Sequence, residues 1–320
     1  MRKRWLVVVA LVVVWWWRRG GDEASHPHRP QAAVISDGFA LLADKHVVEF
    51  DREGNKQREM PLRLDQGNVR FAGTREGTAV GWQDGKRMKL AILDSDGNPN
   101  VDSTWGKNVK QLCEGAATNE HRFGIGWLES DGMVWFVHGP MDRMAGDVIE
   151  AVDAPTKASW CAIASAEQNI ALLWREGARI LMNFCTKKEC TSLVVKVPID
   201  TKDTLLGFGC VRDSCLFATR DKHGTTKLHR VTEKGRTIVK ALEHARPDSA
   251  VSIVGAGDRA FAIAYVSTDN NATIQRVAVD GTFTNVWHFD GAPTPSLAWS
   301  GGKLFVATPS RSAWVLAMPR

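Results

Sequence analysis

The chain lacks the short motifs that usually betray a chemistry. It has no G-x-S-x-G, no Walker loop and no H-E-x-x-H, so nucleophile-elbow hydrolysis, P-loop phosphate binding and zincin-type metal catalysis leave no local signature. Beyond residue 32 there is no long amphipathic helix, which speaks against a bundle or a doubly wound sheet. Charge of one sign is also scarce: 41 basic residues face 36 acidic ones, a net +5. Residues 1 to 31 hold six basic and two acidic side chains, so they carry +4 and leave +1 for everything after them. A nearly neutral body gives nucleic acid no electrostatic footprint.

The only long hydrophobic run is Trp5 to Trp17, WLVVVALVVVWWW, preceded by MRKR and followed by RRGGDEASHPHRPQ. As a helix it spans ~20 Å, short of the ~30 Å hydrocarbon core of a bilayer. A basic n-region before an apolar h-region reads as a secretory signal. No A-x-A-like cleavage site follows, so the alternative is an uncleaved anchor, with interfacial Trp and snorkelling Arg, attaching the chain to the membrane through Trp5 to Trp17. No cysteine lies near the run, which excludes a lipoprotein. Either reading places the body outside the cytoplasm, periplasmic or secreted, and divides the chain into a 1–31 leader with linker and a 32–320 domain.

In that domain apolar runs of four to eight residues alternate with turn signals about every ten residues, the pattern of an all-β protein. First strands of successive units begin near Ala33, Asn68, Lys110, Ala158, Thr204, Ala250 and Ser296, at spacings of 42 to 48 residues after an initial 35. This period fits a four-stranded propeller blade. First strands are rich in small residues (RFAGT, GFGCV, SIVGAG), as crowding around an axis demands. Second strands often end in an aromatic: Trp82, Trp127, Trp174 and Tyr265, read here as blade-to-blade packing rather than a carbohydrate platform. Third strands end in Asp and Gly turns, as in VVEFDREGN and LAILDSDGN. The expectation is seven four-stranded blades, the last with room for three strands and a fourth drawn from Pro27 to Gln31.

These repeats resemble β-propeller proteins over residues 32 to 320, and the DSDGN-type hairpins resemble turns of NHL and quinoprotein-like repeats. There is no Trp-Asp signature, no regular double Gly of kelch and no YWTD repeat. SDGMVW at Ser130 to Trp135 is similar to a sialidase Asp-box but lacks its spacing and does not recur. The resemblance therefore implies a fold and no active site.

Six cysteines in an exported chain admit fifteen pairings. Cys185 and Cys190 flank a third-to-fourth strand turn and Cys210 and Cys215 a first-to-second strand turn, where facing Cα atoms suit a disulfide. Cys113 and Cys161 stand at matching places on adjacent first strands, so an inter-blade bridge is expected. A zinc site is disfavoured because four-residue spacers are not the usual two.

Turns joining fourth to first strands carry Asp65, Asp153, Asp200, Asp203, Asp248 and Asp290, and turns joining second to third strands carry Asp84, Glu129, Asp131, Glu176, Asp221 and Asp269. Both sets belong to one face of the ring. An acidic ring there, with Asp65, Asp153, Asp200, Asp248, Asp290, Asp84, Asp131 and Asp269 as its members, would hold a cation or a basic peptide, although Asp in such turns also caps backbone. His26, His28, His223, His229 and His244 show no ligand or triad spacing and are expected on the surface or on outer strands. DSDGNPN, with Gly97 at the fourth place rather than the sixth, is a hairpin and not an EF-hand loop. No cofactor is implied. The function expected is an exported, non-enzymatic propeller binding a protein, peptide or cell-envelope ligand on one face. The alternative is an extracytoplasmic hydrolase or lyase for a sugar or lactone, with acids around the channel.

Overall fold

Among the described residues each regular element is a β-strand, and many consecutive strands are joined by turns of the kind the Asp and Gly pairs foretell. The computed structural model describes residues 31–318, apart from 36–37, 65–68, 75–76, 119–121, 141–147, 150–157, 167–168, 186–194, 198, 201, 233, 236, 258, 291–292, 309 and 311. Blade 1 comprises β1 (Gln31–Ile35), β2 (Gly38–Ala43), β3 (His46–Asp51) and β4 (Lys56–Pro61). Blade 2 comprises β5 (Val69–Thr74), β6 (Gly77–Asp84), β7 (Arg87–Leu93) and β8 (Pro99–Trp105). Blade 3 holds β9 (Val109–Leu112), β10 (Ala117–Thr118), β11 (Arg122–Glu129), β12 (Val134–Pro140) and β13 (Val148–Ile149), and blade 4 holds β14 (Ala158–Ala166), β15 (Asn169–Glu176), β16 (Arg179–Cys185) and β17 (Val195–Val197). Blade 5 is β18 (Thr204–Val211), β19 (Ser214–Arg220), β20 (Thr226–Thr232) and β21 (Thr237–Ala241). Blade 6 is β22 (Val251–Gly255), β23 (Ala260–Val266), β24 (Ala272–Ala278) and β25 (Phe283–Phe289), and blade 7 is β26 (Ser296–Ser300), β27 (Lys303–Ala307) and β28 (Ala313–Ala317).

Within each blade the strands pair antiparallel from the inside out. The chain is thus a seven-bladed β-propeller with four-stranded blades, the last showing three strands among the described residues. The first strand starts at Gln31, so Gln31 belongs to the inside of blade 1. Pro27 to Pro30, the rest of the expected closing strand, lie outside the described residues.

Turn chemistry explains the hairpins. Asp51 Oδ1 accepts the backbone N–H groups of Glu53 and Asn55 at 2.9 and 2.8 Å, and Asp94 does the same for Asp96 and Asn98 at 2.9 Å each. Each carboxylate closes its turn and leaves no cation loop in DSDGNPN, as an Asx-type turn does.

The core lies between blades. Trp82, Trp127, Trp174 and Tyr265 occupy the same place on β6, β11, β15 and β23, all buried, and each packs into a cluster drawn from two neighbouring blades. Burying a large apolar side chain contributes about 1.5–3 kcal/mol, so the repeat at this position helps to bind blades 1 to 2, 2 to 3, 3 to 4 and 5 to 6. β1 packs against both β5 and β26, which closes the circle. At the seam the Phe39 and Phe305 rings stack at 4.8 Å, and Phe50 lies 5.1 Å from Phe305.

Small residues on inner strands are there because backbones nearly touch. A Cβ on Gly73 of β5 would lie 1.5 Å from the Val34 carbonyl oxygen of β1. Blade 3 departs from expectation: its inner strand is not continuous but broken between β9 and β10. There Glu114 leaves its own blade and pairs parallel with Ala162 of β14, its N–H donating to the Cys161 carbonyl and its carbonyl accepting from Ile163, both at 2.9 Å. The adjacent Cys113–Cys161 disulfide, with Cα atoms 4.7 Å apart, clamps the same crossing. Gly115 follows with φ +74°, a conformation glycine adopts without strain.

Candidate functional site

A propeller presents its innermost strands to a central channel, so residues on those strands with solvent exposure line the channel or its mouths. The upper mouth, as the term is used below, is the one surrounded by the fourth-to-first and second-to-third turns. Near it lies a connected polar cluster on blades 1 to 4. Gln31 of β1 uses its amide as a surrogate peptide group, donating Nε2–H to the Val69 carbonyl and accepting Phe71 N–H, each at 3.1 Å. Arg70, held between those two residues, sends its Nε–H to the Cys113 carbonyl and Nη1–H to the Val69 carbonyl at 3.3 Å. Burial pushes the Arg70 guanidinium below its ordinary pKa, and the Glu114 carboxylate pulls it back up. Trp160 Nε1–H donates to Glu114 Oε1 at 2.9 Å. Glu114 and Ser159 are exposed, so water reaches the axis at this level.

Apolar side chains are also only partly buried on the remaining inner strands. Trp160, Leu205 and Phe208 are partly buried and pack together on blades 4 and 5, and Phe208 stacks on Phe217 at 6.1 Å. Ile253, Val254 and Trp299 are also only partly buried, Val254 and Trp299 lying next to last on their strands and so toward the end of the channel away from Arg70. The charged groups Arg70 and Glu114 thus stand on blades 2 and 3, while the inner strands of blades 6 and 7 mix apolar groups with partly exposed Ser252, Ser296 and Ser300. The Arg70 cluster was not legible as a site in the sequence. Arg70, Glu114 and Trp160 are 44 and 46 residues apart and look like ordinary strand residues until the ring brings them together.

The acidic residues expected on the upper face fall as follows. Asp84 pairs with Lys89, and Asp248 with Arg246, whose Nη1 also reaches Asn270 Oδ1 at 2.8 Å. Asp131 Oδ1 accepts Met133 N–H at 2.9 Å and Asp200 Oδ1 accepts Lys202 N–H at 3.0 Å. Asp131, Asp200, Asp248, Asp269 and Asp290 are exposed. Asp65 and Asp153 lie outside the described residues. Among the described residues no group of three or more His, Cys, Asp or Glu could hold a metal.

Blade 5 departs from its neighbours. Where the second strands of blades 4 and 6 on either side bury Trp174 and Tyr265, β19 has Thr219, and its Oγ1 lies 2.9 Å from Nε2 of His229 on β20. His229 is buried, not on the surface or an outer strand as expected, on the third strand where blade 4 buries Asn183 at the matching register. Burial lowers the His229 pKa, while the Asp203 carboxylate opposes that shift. Above it Lys227 pairs with Asp221 at 3.0 Å. That ammonium, with the His223 and Thr225 N–H groups, brings Asp221 down to about 2.

Cys210 and Cys215 are bonded across the β18–β19 hairpin, with Cα atoms 4.0 Å apart, because the register sets them face to face. Cys185 is also disulfide-bonded; its expected partner, Cys190, lies outside the described residues. Among the described residues no cysteine is free, which suits an oxidising compartment. No helix among them is long and apolar enough to cross a membrane.

No protein-family model matches the chain, and no curated protein does. Solved structures do. U3-55K matches at 10% identity over 92% of this chain and 97% of that one, with TM-score 0.58. The WD40 repeats of RRP9 match at 12% identity over 92% and 96%, with TM-score 0.57. KlAtg21, in its complex with the coiled coil of AgAtg16, matches at 10% identity over 91% and 95%, with TM-score 0.59. At such identities the likeness establishes the propeller fold alone, here built without the Trp-Asp signature.

Proposed function

We propose that the protein is an exported, non-enzymatic propeller that binds a protein or other cell-envelope ligand at the upper mouth of its channel. The observation that carries this reading is the Arg70, Glu114 and Trp160 cluster at that mouth. Partly buried Trp160 is tied by its indole N–H to Glu114 in a charged cluster whose Arg70 and Glu114 are held by backbone and by a disulfide-clamped crossing. Preorganised aromatic and Arg groups in a concave, partly desolvated setting are what binding hot spots are made of. The exposed carboxylates Asp131, Asp200, Asp248, Asp269 and Asp290, with Asp84, form the polar rim and favour a ligand with basic groups at its edge. The structural neighbours support the same class, since one of them was solved bound to a coiled coil. Export is supported by the disulfides and by the MRKR-led apolar run, which serves as a cleaved signal or as an anchor through Trp5 to Trp17.

A photo-cross-linking side chain tests this in the intact cell envelope. Placed at Ser159 in the channel or at Asp131 on the upper rim, it is expected to yield the same protein adduct. Placed at Asp96, on the opposite face, it is expected to yield none. Adducts from Asp96 alone, or from no position, would overturn the reading.

A further inference from the structure

Glu114 offers the channel a carboxylate that its own fold does not consume. It stands in the break between β9 and β10, where its backbone pairs with Ala162 of blade 4 and the Cys113–Cys161 bridge fixes the crossing. Glu114 and the following Gly115 are both exposed, so the side chain leaves a rigid backbone and meets water. Trp160 Nε1–H occupies Oε1 alone, at 2.9 Å. Among the described residues Oε2 accepts no hydrogen bond, and Glu114 belongs to no ion pair. The Arg70 guanidinium feels its charge, yet sends Nε–H and Nη1–H to the Cys113 and Val69 carbonyls. A carboxylate kept only to neutralise Arg70 would close on it in the bidentate geometry that makes such pairs strong.

The surface beside this carboxylate is apolar. Trp160 and Leu205, near the starts of β14 and β18, are partly buried and pack on one core cluster. Carboxylate, indole and aliphatic side chain together suit a group that is apolar along its length and cationic at its tip. A bare metal ion would find the carboxylate without companions, since no three His, Cys, Asp or Glu gather among the described residues. An acidic ligand would meet Glu114 as a like charge.

We propose that the ligand of the channel mouth inserts one lysine or arginine side chain, its stem along Trp160 and Leu205 and its cationic tip on Glu114. This rests on the reading of the mouth as a protein-binding site and makes Glu114 the residue that sets its specificity.

The test follows the indole Nε1–H signal of Trp160 by NMR in the full, nitrogen-labelled chain, assigned as the signal lost in Trp160→Phe. The probes are the Nα-acetyl methylamides of lysine and arginine. The norleucine derivative keeps the stem without the charge, and methylammonium keeps the charge without the stem. Both cationic side chains are expected to shift the signal saturably, and the two controls to act at least about tenfold more weakly. Glu114→Gln, which keeps an oxygen for the indole, should weaken both cations at least about tenfold, with the melting temperature and the other indole signals unchanged. No saturable shift with either cation would overturn the proposal. An equal response to norleucine, or a full response in folded Glu114→Gln, would do the same. A response that appears only after Arg18, Arg19 and Arg29 are replaced by Gln would assign the place to this chain's own arginines and also overturn it. The cross-linking experiment fails separately: adducts at Ser159 and Asp131 without a cation response sink this inference alone, whereas a cation response without adducts sinks only the protein partner.

Discussion

Removing the Cys113–Cys161 bridge should cost markedly more stability than removing Cys210–Cys215, although both pairs are buried to a similar degree. The first links residues 48 apart and the second residues 5 apart. In the chain-entropy treatment the longer loop is worth ~4 kcal/mol and the shorter ~2 kcal/mol. Similar burial makes the packing penalty of the substitutions comparable, so the difference reports loop closure. At ~2 cal/mol/K of unfolding entropy per ordered residue, the paired variant Cys113→Ser with Cys161→Ser should melt ~7 °C below the parent. Cys210→Ser with Cys215→Ser should melt ~3 °C below it. Differential scanning calorimetry and urea titration of the full chain measure both. Equal losses, or a larger loss for the hairpin pair, would refute the view that the first bridge is a tertiary clamp between blades 3 and 4. The clamp also bears on function: with it gone, Glu114 should drift from Trp160, and indole fluorescence should shift.

Other outcomes follow from the same contacts. Phe305→Ala opens the seam between blades 7 and 1 and should destabilise by about 3–5 kcal/mol, read by urea titration. Gly73→Ala drives a methyl into the Val34 carbonyl and should destabilise by at least ~1–3 kcal/mol. His229 has a folded pKa below its unfolded value of 6.5, so its contribution is complete above that value and is lost as pH falls through the lowered one. Melting curves below pH 6.5 should therefore show a destabilisation that His229→Phe reduces. Asp221, at about 2 in the folded chain against 3.8, contributes stability above pH 4 that disappears as pH falls towards 2. Asp221→Asn should flatten that limb.

The fold was legible because its causes repeat. Aromatic residues at Trp82, Trp127, Trp174 and Tyr265 recur at the spacing of a blade, and Asp51 and Asp94 announce their own turns. The first strands expected near Ala33, Asn68, Ala158, Thr204, Ala250 and Ser296 stand within two residues of those positions. What could not be read depends on contacts between blades. The break at Cys113–Ala116 arises because Glu114 pairs with the next blade, and a strand pattern carries no record of its neighbour. His229 looked like a surface histidine because its burial comes from the sheet and blades around it, which local polarity does not record. The channel mouth was hidden for the same reason. Arg70, Glu114 and Trp160 gain meaning only once three inner strands converge, whereas the acidic turns were visible because local chemistry marks them.

The most direct test of a binding role at the channel mouth is the affinity of the cross-linked partner for the parent chain and for Arg70→Gln with Trp160→Ala, measured alongside their melting temperatures. Loss of central hot-spot residues should weaken binding by about thirtyfold or more with the propeller still folded. Unchanged affinity in a folded double variant would contradict the assignment of the site.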